Sequence, residues 1–336
     1  MPITITVVGS LNTDFVTVTS RIPSGGETLT ASSFFTGLGG KGANQAVACA
    51  RLSRPNPSAK IPVNIIPDVR IKMVGAVGAD DFGSHIVNSM ASVNIDTSGV
   101  KVKEGQSTGV AVILVEESSG ENRILLNPGA NHTLNAKDFE QPSALGNPLP
   151  DLIILQLEIP LPTVLQILKT ARKAGIDVLL NTAPAVKLPD EAYQGLAHLI
   201  LNETEAMILT RRSLSDLNQP DFDWANVTNE FITKGVRNVI VTLGAKGALF
   251  ASSENGQNIS EHIPATRVEK VVDTTAAGDT FVGAYALGIV RGDEKLKILR
   301  NACLAAARTI EKKGAQDSIP WADELGYICL FPKPIL

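Results

Sequence analysis

Asp151-Leu-Ile-Ile-Leu-Gln-Leu157 is a short, almost wholly apolar run, and helical spacing follows it over residues 162–174. The pairing recurs: Ile176-Asp-Val-Leu-Leu180 and a loop with a helix, Leu199-Ile-Leu-Asn202 and helices over 204–210 and 223–235, then Asn238-Val-Ile-Val-Thr-Leu243. Runs of that length fit strands buried on both faces, and the helices between them supply the cover. Strands alternating with helices specify a parallel sheet joined by right-handed crossovers. The expected fold is α/β: a central, mostly parallel sheet with helices on both faces. All strands of such a sheet end on one edge, where open α/β sheets bind ligands. Glu158, Asn202, Glu205, Thr242 and Gly244 fall at those ends.

Downstream lies Asp273-Thr-Thr-Ala-Ala-Gly-Asp-Thr280. Residues 266–272 before it carry β-branched side chains in rough alternation and read as a strand. Phe281, Val282, Tyr285 and Ile289 after it have helical spacing. The loop between has almost no side chains, so the N–H groups of Ala276, Ala277 and Gly278 lie uncovered at a helix N-terminus. Unpaired donors and the positive end of the helix dipole favour an anion there. Asp279, in the first turn, is then placed as a general base; its other reading is a plain first-turn acid.

Upstream, residues 3–8 form a β-branched strand ending in Gly9-Ser-Leu-Asn-Thr-Asp14, which sets Asn12 and Asp14 just past a strand end, as ligand groups or as turn residues. Residues 15–20 and 28–35 alternate at period two around Pro23-Ser-Gly-Gly26, a hairpin pattern; residues 108–115 and 123–126 give further strands with no helix between. These pieces are expected to form a small β-sheet lid, about 13–38 and 100–128, on a single domain spanning 1–336.

Gly37-Leu-Gly-Gly-Lys-Gly-Ala-Asn-Gln-Ala46 opens a helix marked by Ala43, Ala46, Val47 and Ala50. It satisfies G-x-G-x-x-G, but no acidic residue follows about 20 positions on in a strand, and the segment follows a hairpin, so dinucleotide binding is rejected. It is not a Walker loop either, because Ala43 follows Gly42. Backbone donors, Lys41 and Asn44 at a helix N-terminus suit a polyhydroxylated, partly anionic ligand. Asn202-Glu-Thr-Glu205 reads either as a helix cap followed by first-turn acids or, in the functional reading, with Glu205 helping to hold a hydrated magnesium. Thr242-Leu-Gly-Ala-Lys-Gly247 reads either as a hairpin turn or as a glycine-bearing backbone against which a nucleotide lies.

Composition removes other classes. Lys plus Arg number 30 against 34 Asp plus Glu, a net charge of −4, which offers no footprint for nucleic acid or an anionic membrane. Cys49, Cys303 and Cys329 sit in apolar surroundings without CxxC spacing, as buried thiols in a reducing compartment do. His85, His132, His198 and His262 show no metal-ligand spacing. No basic leader opens the chain and no apolar run nears the roughly 18 residues of a membrane span, so a cytoplasmic location is expected, with the nucleus left open.

Gly39-Gly-Lys-Gly-Ala-Asn-Gln-Ala46 resembles the first signature of the ribokinase-like (PfkB) sugar kinases, and Asp273-Thr-Thr-Ala-Ala-Gly-Asp-Thr-Phe281 the second. Residues 9–14, Ser107-Thr-Gly109, 202–205, 242–247 and Lys313-Gly-Ala-Gln316 fit the family in order and spacing. The resemblance is nearest the family's ribokinase branch. It implies ATP-dependent phosphorylation of D-ribose at O5, with Asp279 as base and the amides of Ala276, Ala277 and Gly278 as anion hole. A kinase of 2-deoxyribose, another sugar or a nucleoside is the alternative, and a sugar-binding regulator without turnover the rival from another class. Sugar contacts are implied at Asn12, Thr13, Asp14, Gly40, Lys41, Gly42, Ala43, Asn44 and Glu158. Nucleotide contacts are implied at Asn202, Glu205, Thr242, Leu243, Gly244, Ala245, Lys246, Gly247, Gly278, Asp279 and Cys303. Magnesium or another divalent cation is expected with ATP. Potassium is expected as activator at Asp273, Thr275, Thr309, Lys312, Gly314 and Ser318, and a homodimer through the lid. Many members have glycine where Ala276 stands, so the anion hole is expected to survive only with a negative φ at that alanine.

Overall fold

In the computed structural model the strands β8 (Leu152–Leu155), β9 (Asp177–Asn181), β10 (His198–Asn202) and β11 (Asn238–Thr242) lie side by side in parallel, as the apolar runs require. The structure describes residues 3–59, 68–118, 121–218, 222–254 and 257–326. β1 (Ile3–Val8) joins beside β8, followed by β4 (Val69–Gly78) and β5 (Asp96–Lys103), all parallel. At the other edge β12 (Ala248–Glu254) and β13 (Gln257–Ile263) add an antiparallel hairpin, giving the order β13-β12-β11-β10-β9-β8-β1-β4-β5.

Each central strand feeds two cores by alternation. Ile5, Ile154, Leu179, Ile200 and Ile240 face one core, while Val8, Ile153, Leu180, Leu199 and Val239 face the other. Helices α1 (Lys41–Leu52), α2 (Asp81–Ser92), α6 (Ala277–Arg291) and α7 (Lys295–Thr309) contribute to the first core. Helices α3 (Leu161–Ala174), α4 (Glu203–Thr210) and α5 (Trp224–Thr233) contribute to the second. Burial of each such Ile or Leu stabilises the fold by about 1.5–3 kcal/mol relative to exposure.

Small residues decide how near α1 and α6 approach. An added Cβ on Gly283 would lie 2.5 Å from the Ala48 Cβ and 3.0 Å from the Cys49 nitrogen. Two glycine-rich segments far apart in sequence are thereby brought together.

A second sheet stands on the ligand edge, in the order β3-β2-β6-β7: β2 (Asn12–Thr19), β3 (Ser33–Gly39), β6 (Gly109–Glu116) and β7 (Asn122–Asn127). β2 starts four residues after β1 ends, which places Asn12 and Asp14 where the two sheets meet. Asp80 ties the junction: its carboxylate caps α2 through the Gly83 amide and accepts from the backbone N–H and hydroxyl of Thr108.

Four local expectations need correction. Residues 264–276 form no strand; among the described residues no strand lies beyond the sheet-edge strand β13 to pair with, Val271 and Val272 are exposed, and both the Val272 and Asp273 amides bond to the Ile310 carbonyl. Gly37 and Gly39 belong to β3, so only Gly40 separates strand from helix. The loop after β9 carries only the 3-10 turn Asp190–Ala192. Residues 96–103, partly assigned to the small sheet, pair with β4 in the large one. Cys49 and Cys303 are buried and free, while Cys329 and part of the proline-rich segment 53–62 lie outside the described residues. Among the described residues no helix is long and apolar enough to cross a membrane.

Candidate active site

The floor of the site is the N-terminus of α1. Its amides need acceptors, and Ser10 and Glu158 supply them: Ala43 N–H donates to the Ser10 carbonyl (2.9 Å), Gly42 N–H to Ser10 Oγ (3.3 Å), and Lys41 N–H to Glu158 Oε2 (3.0 Å), which also accepts from Ser10 Oγ (2.5 Å). A carboxylate at this helix end is favoured by the dipole. Gly40 has φ +87° and a Cβ there would lie 2.8 Å from both Asn12 N and the Ser10 carbonyl; one on Gly39 would meet the Asp14 carboxylate at 2.2 Å. Those glycines let Asn12 and Asp14 lie over the floor. Asn12 is oriented by Asn131, whose Nδ2 donates to Asn12 Oδ1 (2.8 Å) while its Oδ1 accepts from Leu11 N–H (2.9 Å). Buried oxygens of Thr13 (Oγ1) and Asn44 (Oδ1) have no protein partner. Open hydrogen-bonding capacity in a buried polar site suits a hydroxylated ligand.

Asp279 closes the site from the other side. It is buried in the first turn of α6, and its two oxygens accept from Asn44 Nδ2 (3.0 Å) and Gln45 Nε2 (2.9 Å). Ahead of it, Ala276 has φ +60° and ψ +6°, which overturns the expectation of a negative φ. A left-handed residue abutting a right-handed one is a turn conformation in which successive N–H groups can face one concavity, so the positive φ is compatible with an anion nest rather than abolishing it. The first α-helical bond is Thr280 N–H to the Ala276 carbonyl (2.8 Å), and Ala277 N–H makes a long bond to Thr274 (3.3 Å). Gly278 and Asp279 are left with amides that have no acceptor in their own helix, and the position of a Gly278 Cβ faces open space.

Towards the β11–β12 end, Asn202 and Glu205 form a reciprocal capping box on α4, with Glu205 Oε2 accepting from Asn202 N–H (3.0 Å) and Glu205 N–H donating to Asn202 Oδ1 (2.9 Å). Leu243, Gly244, Ala245, Lys246 and Gly247 make a tight 3-10 turn between antiparallel strands, closed by Leu243 N–H to the Gly247 carbonyl (2.7 Å), with Gly244 and Gly247 at positive φ. Thr242 Oγ1 reaches the Leu201 carbonyl, and Cys303 is a buried α7 thiol that burial pushes up to about 11.

Beneath the nest, Asp273 staples two loops. Its Oδ1 accepts from the amide and hydroxyl of Thr275, and its Oδ2 from Gly314 N–H (2.9 Å). The hydroxyls of Thr309 and Ser318 turn to Thr280 and to the Ala315 carbonyl, and the Lys312 ammonium pairs with Glu324. Side chains of those three therefore point elsewhere, leaving backbone carbonyls as their available donors.

Charge is concentrated. Burial, then Glu158 and Asp279, push the Asp14 carboxyl up to about 7. Burial also raises Glu205. Burial works to lower the Lys41 ammonium, but Asp279, Glu158, Glu205 and Asp14 outweigh it and hold it above its ordinary value. Sequence reasoning passed over Gln45, Gln156 and Asn181, three buried amides beneath Asp279. The available signal was polar residues at the ends of apolar strands, Gln156 just after β8 and Asn181 closing β9.

A polar floor with open hydrogen-bonding capacity, a buried carboxylate bonded to it and a helix start with unbonded amides lie together, an arrangement that suits phosphoryl transfer to a small polyol. A family model described as pfkB family carbohydrate kinase matches residues 3–322, and the chain belongs to that family. It is 43% identical over 324 residues to a ribokinase of Schizosaccharomyces pombe, covering 95% of each chain. It is 36% identical over 317 residues to a deoxyribokinase of Salmonella typhi, covering 94% of this chain and 95% of that one. An Arabidopsis thaliana ribokinase solved with ribose and ATP superposes with a TM-score of 0.82 at 29% identity, covering 99% of this chain and 100% of the other.

Proposed function

We propose that this chain transfers the γ-phosphoryl group of ATP to O5 of D-ribose. The observation that carries the reading is Asp279: one buried carboxylate, held by two amides, joins the hydroxyl-binding floor to the anion nest. Asn12, Thr13, Asp14, Asn44 and Glu158 bind the sugar hydroxyls, with the Gly40–Ala43 backbone beneath. Asp279 accepts the O5 proton as the phosphoryl group departs, and the amides of Ala276, Ala277 and Gly278 stabilise charge on that group. A loose transition state needs the proton removed late, so positioning carries much of the rate. Residues 242–247, Asn202, Glu205 and Cys303 border the nucleotide.

Among the described residues no three His, Cys, Asp or Glu side chains form an ion cage, and Glu205 is engaged by Asn202. That donor set suits magnesium, which keeps its waters and arrives with phosphates; Glu205 and Asn202 would hold it through water. Magnesium supplies neutralisation of phosphate charge when bound. Asp273, with carbonyls of Thr275, Thr309, Lys312, Gly314 and Ser318, suits a large monovalent cation such as potassium, which braces the nest. The small sheet is read as a lid, and its exposed Phe34, Ile124 and Leu125 support pairing with a second copy as a homodimer in the cytoplasm.

The likeness to a deoxyribokinase keeps 2-deoxyribose as a second reading. A coupled ADP assay over ribose, 2-deoxyribose, other pentoses and nucleosides separates them. Ribose is expected to give the highest kcat/KM; a nucleoside or deoxyribose leading the panel would overturn the assignment.

A further inference from the structure

Beneath Asp279 runs a chain of buried amides whose orientations are dictated from one end. The Ile200 carbonyl can only accept, so Asn181 presents Nδ2 to it (3.1 Å) and must turn Oδ1 toward Gln45. Gln45 therefore offers Nε2, which donates to Asn181 Oδ1 (3.1 Å) and to Asp279 Oδ1 (2.9 Å). Its own oxygen then faces Gln156, which donates Nε2 at 2.6 Å. Gln45 and Gln156 are fully buried. Gln156 Oε1 is left without a partner, an uncompensated cost that the chain tolerates in order to keep its donor on Gln45. Asn44, the other donor to Asp279, has a buried and unpartnered Oδ1, so nothing on the protein locks its amide in the same way.

We propose that Gln45 is the positioning residue of this reaction: its amide, locked between Asn181 and Gln156, holds the Asp279 carboxylate in the orientation that accepts the sugar proton. This rests on Asp279 being the base. A carboxylate has about four acceptor sites, and two amide donors leave about two of them for an incoming hydroxyl. The charged groups that act on Asp279 are Lys41 from α1, Asp14 from β2 and Glu205 from α4, with Glu158 acting on Lys41 and Asp14. The amides themselves do not titrate, so changing Gln45 alters the setting of Asp279 without removing a charge.

The test is Gln45→Met in the full chain, which keeps the volume and removes the donor. Expected are a kcat at least about tenfold lower, as the loss of one hydrogen bond to a charged group gives, with a ribose Kd within about threefold of wild type. An unchanged kcat, or a kcat that falls only together with a weakened ribose Kd, overturns the proposal, since a merely structural role would move both. If Gln45→Met does not fold, Gln45→Asn serves, because its shorter amide withdraws the donor from Asp279 without adding a charge; a kcat within about threefold of wild type there overturns the proposal equally. Asp279→Asn run in parallel separates the two readings. If it keeps turnover, the base assignment fails and the inference with it; if it is inactive while the Gln45 variants match wild type, only the positioning role fails.

Discussion

On the proposed reading, Asp14 should make sugar binding pH-dependent by an amount that follows from its surroundings. Burial, Glu158 and Asp279 raise its carboxyl from 3.8 to about 7. At about 1.4 kcal/mol per unit this is on the order of 4 kcal/mol favouring the neutral form in the folded protein, a ceiling because the group is only partly enclosed. The folded value lies above the unfolded one, so this contribution to stability is fully present below about pH 4 and is lost as pH rises through about 7. Sugar hydroxyls donating to Asp14, as proposed, would select the ionised form. With a pKa of about 7 that form is roughly one-tenth populated at pH 6 and nine-tenths at pH 8, so the ribose Kd should tighten by about tenfold over this interval. Titration calorimetry without nucleotide, in buffers of different ionisation enthalpy, should show proton release near pH 7. Asp14→Asn should bind more weakly and lose the pH dependence. A wild-type Kd constant within twofold from pH 6 to 8, with no buffer dependence of the heat, would refute the reasoning.

Three further outcomes follow from local geometry. Ala276→Gly removes a left-handed alanine and is expected to stabilise the protein by about 1 kcal/mol, seen as a Tm higher by about 2 °C; an unchanged or lower Tm contradicts the φ of +60°. Gly283→Ala forces a methyl to 2.5 Å from Ala48 and should cost about 1–3 kcal/mol in chemical denaturation while lowering kcat, because it parts Asn44 and Gln45 from Asp279; full stability and activity would show that the helix approach is not so tight. Asp273→Ala cuts the staple to Thr275 and Gly314 and should lose most of the activation by potassium chloride, measured against choline chloride at equal ionic strength with magnesium saturating. Equal rates of the wild type in both salts would remove the proposed monovalent site.

The layered architecture was legible because side-chain chemistry declares it. Ile153 and Ile154 can both be apolar only if consecutive residues enter different cores, and they do. That Lys41, Asn44, Glu158 and Asp279 come together was legible as well, since polar side chains beside glycines at element ends add nothing to an apolar core; that the α1 amides are taken up by Ser10 and Glu158 was not, because those partners lie far off in sequence. Residues 266–272 misled because strand propensity carries no information on whether a neighbouring strand exists, and among the described residues none lies beyond β13. Ala276 misled because a left-handed alanine costs only about 1–2 kcal/mol, which the staple at Asp273 and the docking of α6 can offset. Gln45 stands within the glycine-rich stretch yet had no visible role, because its partners Gln156, Asn181 and Asp279 lie at least 111 residues away.

The most direct measurement compares wild type with Asp279→Asn in parallel, following conversion of ribose to ribose 5-phosphate with ATP by phosphorus NMR and ribose binding by calorimetry. The amide is nearly isosteric with the carboxylate but cannot take the proton. The account predicts ribose 5-phosphate from the wild type, turnover lower by at least about a thousandfold in the variant, and a ribose Kd changed by less than about threefold. A variant with activity within about threefold of wild type, or a wild type that binds ribose without forming the 5-phosphate, would contradict it.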